Sequence, residues 1–452
     1  MKRRYSLVFI GPVGTRSGYG AHARDIFHSL YDMDKFDIHV LDTVWGDTPR
    51  NALDVNNPKD KIILGSFLKR PLDKQPDIGV DVRLPQEYEK PGKYNIGITA
   101  GVETSAVSHA FLQGANDVDL NIVPSQHSKE GFVQAKFDKM KQTPQGQQQK
   151  VGELILEKPM EVLFEGVDEN IYKPLSENEL STDIKHKMDS IKEDFCYLFV
   201  GQWLKGGFGE DRKDIGRMIK VFLETFAGMD NPPALVMKTS GAGFSVLDKE
   251  ECLDKIKQVK SKFPSIISLP NIYLLHGSLS DEEINELYNH PKVKSMISFT
   301  HGEGFGRPLL EATMVGLPVI ASGWSGQLDF LDPNKSLLIS GSLNKVPESV
   351  VWENIIIPES EWFTVDESSA GRMLQHVYNN YKSVKSNAIK LMKINREKFT
   401  INKMTESLEK LIQPIIDKLD NEPVSVELKL PKLQKSSNIP EVKLPQLEKV
   451  GV

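Results

Sequence analysis

Two glutamates, Glu303 and Glu311, stand with seven residues between them in the stretch SFTHGEGFGRPLLEATMVGLPVIASGWSG, Ser298 to Gly326. One falls in a run of glycines, the other just inside a segment with helical spacing. Glycine lets a backbone take positive φ and approach a ligand closely. Pro308 suits a first helical turn, where its missing N–H costs nothing, and Gly316 suits the helix end. Free N–H groups at such a start attract an anion, and phosphate is the usual guest. Glu311 would repel a phosphate directly beside it, so its better partners are neutral hydroxyls such as those of a ribose. Glu303, on the loop, would lie nearer the reacting end. An acid on each side of a phosphate site fits a nucleotide sugar, ribose on one side and hexose on the other. A capping glutamate beside a structural glycine loop would give part of the same pattern, and glycine loops alone are weak evidence.

The elements around the motif must hold it in place. VKSMISF before the loop and LPVIAS after the short helix are apolar strands. They make a βαβ unit with its glycine loop at the carboxyl end of a strand. The chain opens in the same way: SLVFIG as strand, GTRSGYG as glycine loop, AHARDIFHSLYDM as helix, FDIHVLD as strand. That is the opening of a doubly wound α/β domain. YNIGITAG, VDLNIVPS and MEVLFEG read as further strands, and SHAFLQGAN and SKEGFVQAKF as helices. KQTPQGQQQKVGE lacks periodicity and predicts an exposed insertion. A second alternating series starts at FCYLFVGQW. The pattern predicts two Rossmann-like domains, residues 1–180 and 181–400, then a closing helix over 401–420 with Pro414 inside it. VELKLPKLQK and PEVKLPQLEK repeat loosely in a Lys/Leu/Pro tail, 421–452, which cannot build a core and reads as a surface extension or a docking segment.

Bulk properties narrow the classes. A chain of 452 residues is too long for one ordinary core. A net charge of −6 gives no support for bulk nucleic-acid binding. Cys196 and Cys252 are the two cysteines, in no metal-ligand spacing, which suggests a reducing compartment. The start MKRRYSLVFIGPVG has too short an apolar run for a signal peptide. No run of about eighteen apolar residues predicts a membrane span. The expectation is a cytoplasmic protein, with peripheral membrane attachment as a variant of it.

The Glu303–Glu311 segment resembles the EX7E signature of retaining glycosyltransferases of the GT-B fold, family 4, the glycosyl transferases group 1 domain. VPSQHSKEGF, LFEGVDENIYKP, AGVETS and RKDIGRMIKVF resemble further signatures of that family, so the likeness covers most of residues 5–420. It implies two Rossmann-like domains facing across a cleft, with the closing helix returning toward the N-terminal one. It implies an acceptor-side N-terminal domain and a C-terminal domain that binds a nucleotide-diphosphate sugar as donor substrate, with no other cofactor and no metal. By resemblance Glu311 holds the ribose hydroxyls and Glu303 contacts the donor sugar. Backbone N–H groups of Gly304, Phe305, Gly306, Leu309 and Leu310 meet sugar or phosphate oxygens. Lys213 neutralises the diphosphate, with Arg212 beside it and Lys238 as a second candidate. Gly18, Tyr19 and Gly20 form a glycine loop facing donor and acceptor. Glu103 positions the acceptor hydroxyl, with His109 and His127 as further options.

Two features stand apart. Where many family members carry Gly-Arg, this chain has Gln202 and Trp203 and a longer loop, so Lys205 or Arg212 would have to supply the displaced charge. Asp117 and Asp119 form a D-x-D pair that binds a metal–diphosphate in another glycosyltransferase fold, but the surrounding pattern here is the GT-B one. Two other readings share the architecture: a sugar-nucleotide epimerase or hydrolase, and a non-catalytic scaffold subunit docking through its tail. The acceptor stays open among glycans, lipid-linked sugars and other hydroxyl compounds. Net acidity counts against a nucleic-acid acceptor without excluding it.

Overall fold

The computed structural model describes residues 4–142, 148–204, 206–241 and 245–421. Lys205 and the Lys/Leu/Pro tail lie outside the described residues. The N-terminal half holds β1 (Tyr5–Gly11), α1 (Gly18–Asp32), β2 (Phe36–Asp42), α2 (Pro58–Gly65), β3 (Ile78–Val82), β4 (Tyr94–Ile98), α3 (His109–Asp117), β5 (Leu120–Val123), α4 (Gln126–Gln134), β6 (Phe137–Gln142), β7 (Gln148–Leu154) and β8 (Met160–Val162). Six strands form a parallel sheet in the order β2-β1-β3-β4-β5-β8. The near-continuous apolar run of β1 suits a strand covered on both faces.

The second half holds α5 (Thr182–Asp189), β9 (Cys196–Gln202), α6 (Ile215–Phe226), β10 (Ala234–Ser240), α7 (Val246–Lys260), β11 (Ile272–Leu275), α8 (Asp281–Asn289), β12 (Val293–Ser298), α9 (Arg307–Met314), β13 (Val319–Ser322), β14 (Leu337–Ile339), β15 (Gly341–Lys345), β16 (Glu361–Val365), α10 (Glu367–Asn379), α11 (Tyr381–Lys398) and α12 (Ile401–Asn421). Its parallel sheet runs β11-β10-β9-β12-β13-β14. Strand order therefore reverses between β9 and β12. The loops leaving the carboxyl ends of such a pair frame the crevice where ligands bind in open α/β sheets.

α12 crosses back to the first domain. Met404, Leu408, Ile412, Ile415, Ile416 and Leu419 recur at helical spacing and join the core built on β1 and α1. Thr405 Oγ1 donates to Ser29 Oγ on α1 at 2.8 Å. The C-terminal sheet has cores on both faces, one beneath α8 and α9, the other beneath α6, α7 and α10. Both cysteines are free and buried. Among the described residues no helix is long and apolar enough to cross a membrane.

Three local expectations need refinement. The described part of KQTPQGQQQKVGE is exposed, as expected, but it belongs to the antiparallel hairpin of β6 and β7, whose second strand is exposed over most of its length. With both faces in solvent, it carries no apolar alternation to reveal it. α4 stops at Gln134, and the KF that closes SKEGFVQAKF leads into β6. Gly18 and Gly20 lie in the first turn of α1 rather than in a loop. Ser17 caps that turn by accepting from the Gly20 N–H at 2.9 Å. A Cβ on Gly20 would meet the Thr15 carbonyl oxygen at 2.3 Å, so this glycine serves close packing.

Candidate active site

Glu303 sits on the loop between β12 and α9, where its position is fixed from several sides. Its N–H donates to Ser325 Oγ at 2.9 Å, and its carbonyl accepts from the Gly326 N–H at 3.0 Å. The His301 N–H donates to the Arg212 carbonyl at 2.9 Å, and the His301 ring stacks on Trp362 at 4.0 Å. These bonds join the two loops of the switch point. Lys213 and Arg212 lie at the end of the β9 loop, just ahead of α6. Lys213 donates to Glu303 Oε1, and Arg212 Nη1 lies 3.7 Å from Glu303 Oε2. Burial alone would lift the Glu303 carboxyl, but the two cations outweigh it and hold its pKa below the ordinary carboxylate range.

Glu103 reaches the same cluster from the opposite domain. It follows β4, and Arg212 Nη1 donates to its Oε1. Burial lifts the Glu103 pKa against the pull of Arg212. The cleft thus holds two carboxylates and two cations in direct contact, one carboxylate from each domain.

The glycine loop meets the N-terminal domain closely. Ser125 Oγ, at the start of α4, donates to the Gly304 carbonyl at 2.6 Å. A Cβ on Gly304 would lie 2.0 Å from the Ala100 carbonyl oxygen. Gly306 caps α9 with φ of +96°, a conformation that favours glycine. Among the described residues the N–H groups of Gly304, Phe305 and Gly306 make no hydrogen bond. Those of Leu309 and Leu310 already donate to the Gly306 carbonyl at 2.9 and 3.3 Å. The open donors are therefore the loop's, while the two leucine N–H groups are engaged within the helix start.

Glu311 lies in α9 and is buried. Its Oε1 accepts from Arg307 Nε at 3.0 Å and its Oε2 from the Tyr288 hydroxyl at 3.3 Å. Burial raises its pKa to about 7, with Arg307 opposing the rise. Arg307 also reaches Asp25 on α1, Nη1 to Oδ2 at 2.5 Å.

The remaining candidates scatter. Lys238, in β10, has its pKa lowered to about 8 by burial, and its acidic neighbour is Glu283 on α8 rather than Glu303. Gly18 opens α1, where an added Cβ would meet nothing within 4 Å. The Tyr19 hydroxyl bonds Thr99 Oγ1 at 2.7 Å, at the end of β4. His127 packs edge-on against Trp324 at 4.6 Å, across the cleft, and burial lowers its pKa to about 4. His109 packs against Phe137, away from the cluster. Asp117 pairs with Lys90 at 3.4 Å, and Asp119 accepts from the Asn95 N–H at 2.8 Å. Both precede β5, at the amino end of the parallel strands and away from the carboxyl ends that face the cleft. Gln202 ends β9 and Trp203 is buried. Arg212 is therefore the described arginine that reaches Glu103 and Glu303. Sequence reading passed over Arg307, although its place four residues before Glu311 on one helix face signals a pair. Asp25 and Ser125 carry no such local signal.

Residues 268–350 match the family model described as Glycosyl transferases group 1. No curated protein matches the sequence. Among solved structures, Anabaena Alr3699/HepE in complex with UDP-glucose aligns with a TM-score of 0.56 and 15% identity, over 92% of this chain and 100% of that one. Sucrose-phosphate synthase from Thermosynechococcus elongatus aligns at 0.58 and 11%, over 92% and 100%. A glycosyltransferase from Rickettsia africae aligns at 0.55 and 12%, over 91% and 99%. At such identities the likeness establishes the fold. Residues 268–350 are thus similar to the glycosyl transferases group 1 domain, and the chain as a whole has the two-domain GT-B fold.

Proposed function

We propose that this chain is a retaining glycosyltransferase that moves a sugar from a nucleoside diphosphate to an acceptor hydroxyl, with no cofactor beyond the donor and no metal ion. The observation that carries the reading is the cluster of Lys213, Arg212 and Glu303 at the switch point, beside three unused N–H groups and with Glu311 in the adjoining helix. Anabaena Alr3699/HepE is known with UDP-glucose bound, which makes a UDP-sugar the first donor to try. In this reading the diphosphate takes Lys213, Arg212 and the loop N–H groups, Glu303 turns to the donor sugar, and Glu311 receives the ribose hydroxyls.

The chemistry then follows from charge. The bond between the anomeric carbon and the diphosphate oxygen breaks, and the nucleoside diphosphate leaves with the electron pair. Lys213 and Arg212 stabilise the charge growing on it, the work a metal ion does elsewhere. The acceptor oxygen bonds to the anomeric carbon on the face the diphosphate leaves. Its proton passes to an oxygen of the departing phosphate, which lies beside it. Glu103, released by Arg212, orients the acceptor hydroxyl from the N-terminal domain.

The test is donor turnover with and without acceptors. UDP-glucose and other UDP-sugars are incubated with glycan, lipid-linked and small hydroxyl acceptors, and both UDP release and sugar transfer are followed. Transfer with retained anomeric configuration, undiminished by a chelator, is the expected result. Release of free sugar without transfer would replace the proposal by hydrolysis. Donor binding without any turnover would replace it by a scaffold role.

A further inference from the structure

Arg307 is strongly placed, and the proposed chemistry gives it no role. It stands between Gly306 and Pro308 at the very start of α9, with its side chain only 16% exposed. Two carboxylates claim its guanidinium. Glu311, on the same helix, accepts from Nε at 3.0 Å, and Asp25, on α1 of the opposite domain, accepts from Nη1 at 2.5 Å. Around Glu311 and Arg307 stand Asp281 opening α8, Tyr288 within it, Tyr172 of the linker, Glu165 after β8, His22 on α1 and a further cation, Arg24, which repels Arg307 and attracts Asp25. Arg24, also on α1, gives its Nη1 to the carbonyls of Val13 and Thr15.

We propose that Arg307 is a positioning residue, one that presents the Glu311 carboxylate to the ribose and, through Asp25, ties that grip to the meeting of the two domains. This rests on the nucleotide-sugar reading. A ribose diol offers two hydroxyl donors, and a carboxylate meets both only when it is ionised and acceptor-only. Burial works against that form and Arg307 works for it. The guanidinium is planar and forked, so it serves two carboxylates at once, and an ammonium offers a point charge without the fork. Asp25 engages the fork only while α1 lies over α9. Separation of the domains would leave Asp25 without this partner and remove one of the two bonds that hold the guanidinium in place.

The experiment is nucleotide binding by the full chain, followed by calorimetry from pH 6 to pH 9. The probe is whichever of UDP, GDP and ADP the unaltered chain binds best. Arg307→Met is expected to weaken binding about tenfold to a hundredfold at pH 7, the loss of one charge-assisted partner. Much of that loss should return by pH 9, where Glu311 ionises without help. Arg307→Lys, which keeps the charge and the fold, should lose less and keep the pH profile of the unaltered chain. Asp25→Asn should keep that profile but lose the nucleotide-dependent protection of α1 amides from hydrogen exchange. Equal affinity of Arg307→Met and the unaltered chain at pH 7 would overturn the proposal, as would a loss that pH 9 does not relieve. Protection of α1 that survives Asp25→Asn would overturn the link between domains. Failure of the unaltered chain to bind any of the three nucleotides would overturn the functional reading and this one together, whereas failure confined to these variants' expected behaviour leaves the functional reading standing.

Discussion

Glu303 is neutralised by two cations that a diphosphate would also seek, so the two halves of its role separate in a mutant. Glu303→Ala frees Lys213 and Arg212, and nucleotide affinity should hold or improve. Under the proposed function, contact with the reacting sugar is lost, and kcat should fall by about a hundredfold, the scale of removing one preorganised polar partner. Steady-state kinetics with a UDP-sugar check both halves, and a fall in nucleotide affinity with unchanged kcat would contradict the assignment. Glu165 presents the opposite case. It is buried between the domains with its pKa raised to about 7 by burial, against the weaker pull of Arg307. The folded state therefore binds more protons than the unfolded one between about pH 4.5 and pH 7, and stability falls as pH rises across that window. Above it the folded chain carries an ionised buried carboxylate at a cost of about 1–3 kcal/mol. Glu165→Gln should raise the melting temperature at pH 8 and change it little at pH 4.5, which thermal scans at the two pH values would show.

α12 carries C-terminal sequence into N-terminal packing, so damage to it should appear in the other domain. Leu408 is fully enclosed in the core built on β1 and α1. Leu408→Ala should cost about 2–4 kcal/mol, as large-to-small core changes do, and hydrogen exchange should place the loss in residues 4–123 rather than in the sheet of β9 to β14. The same contrast between local and distant partners explains what the sequence revealed. The strand, glycine loop and proline-started helix of β12 and α9 are legible because each signal lies within a few residues of the next. The apolar stripe of α12 is legible for the same reason. The β6–β7 hairpin is not, because strands exposed on both faces have no reason to alternate. β15 and β16 pair across a loop of fifteen residues, with β15 exposed throughout. The contacts of Ser125 with Gly304 and of Asp25 with Arg307 join residues 179 and 282 positions apart, and no spacing rule reaches that far.

At the scale of the whole molecule, the two domains meet through backbone as well as charge, and the backbone contact sets how closely they can approach. Gly304 is the point of closest fit: its carbonyl takes the Ser125 hydroxyl, and an added Cβ would fall 2.0 Å from the Ala100 carbonyl oxygen and 3.3 Å from the Gly101 Cα. Those obstacles are backbone atoms, so no side-chain rotation relieves them, and each domain's own core lies elsewhere. Gly304→Ala should therefore hold the cleft open while leaving both domains folded. The Glu103–Arg212 and Asp25–Arg307 pairs span the same gap and would be stretched with it. Hinge closure of this kind completes a site assembled from two domains. The expected outcome is a larger radius of gyration by small-angle scattering in the presence of nucleotide, with turnover lost and the circular-dichroism spectrum and melting temperature close to those of the unaltered chain. A variant that scatters like the unaltered chain with nucleotide bound, yet is equally inactive, would show that Gly304 acts on the donor alone and not on the meeting of the domains.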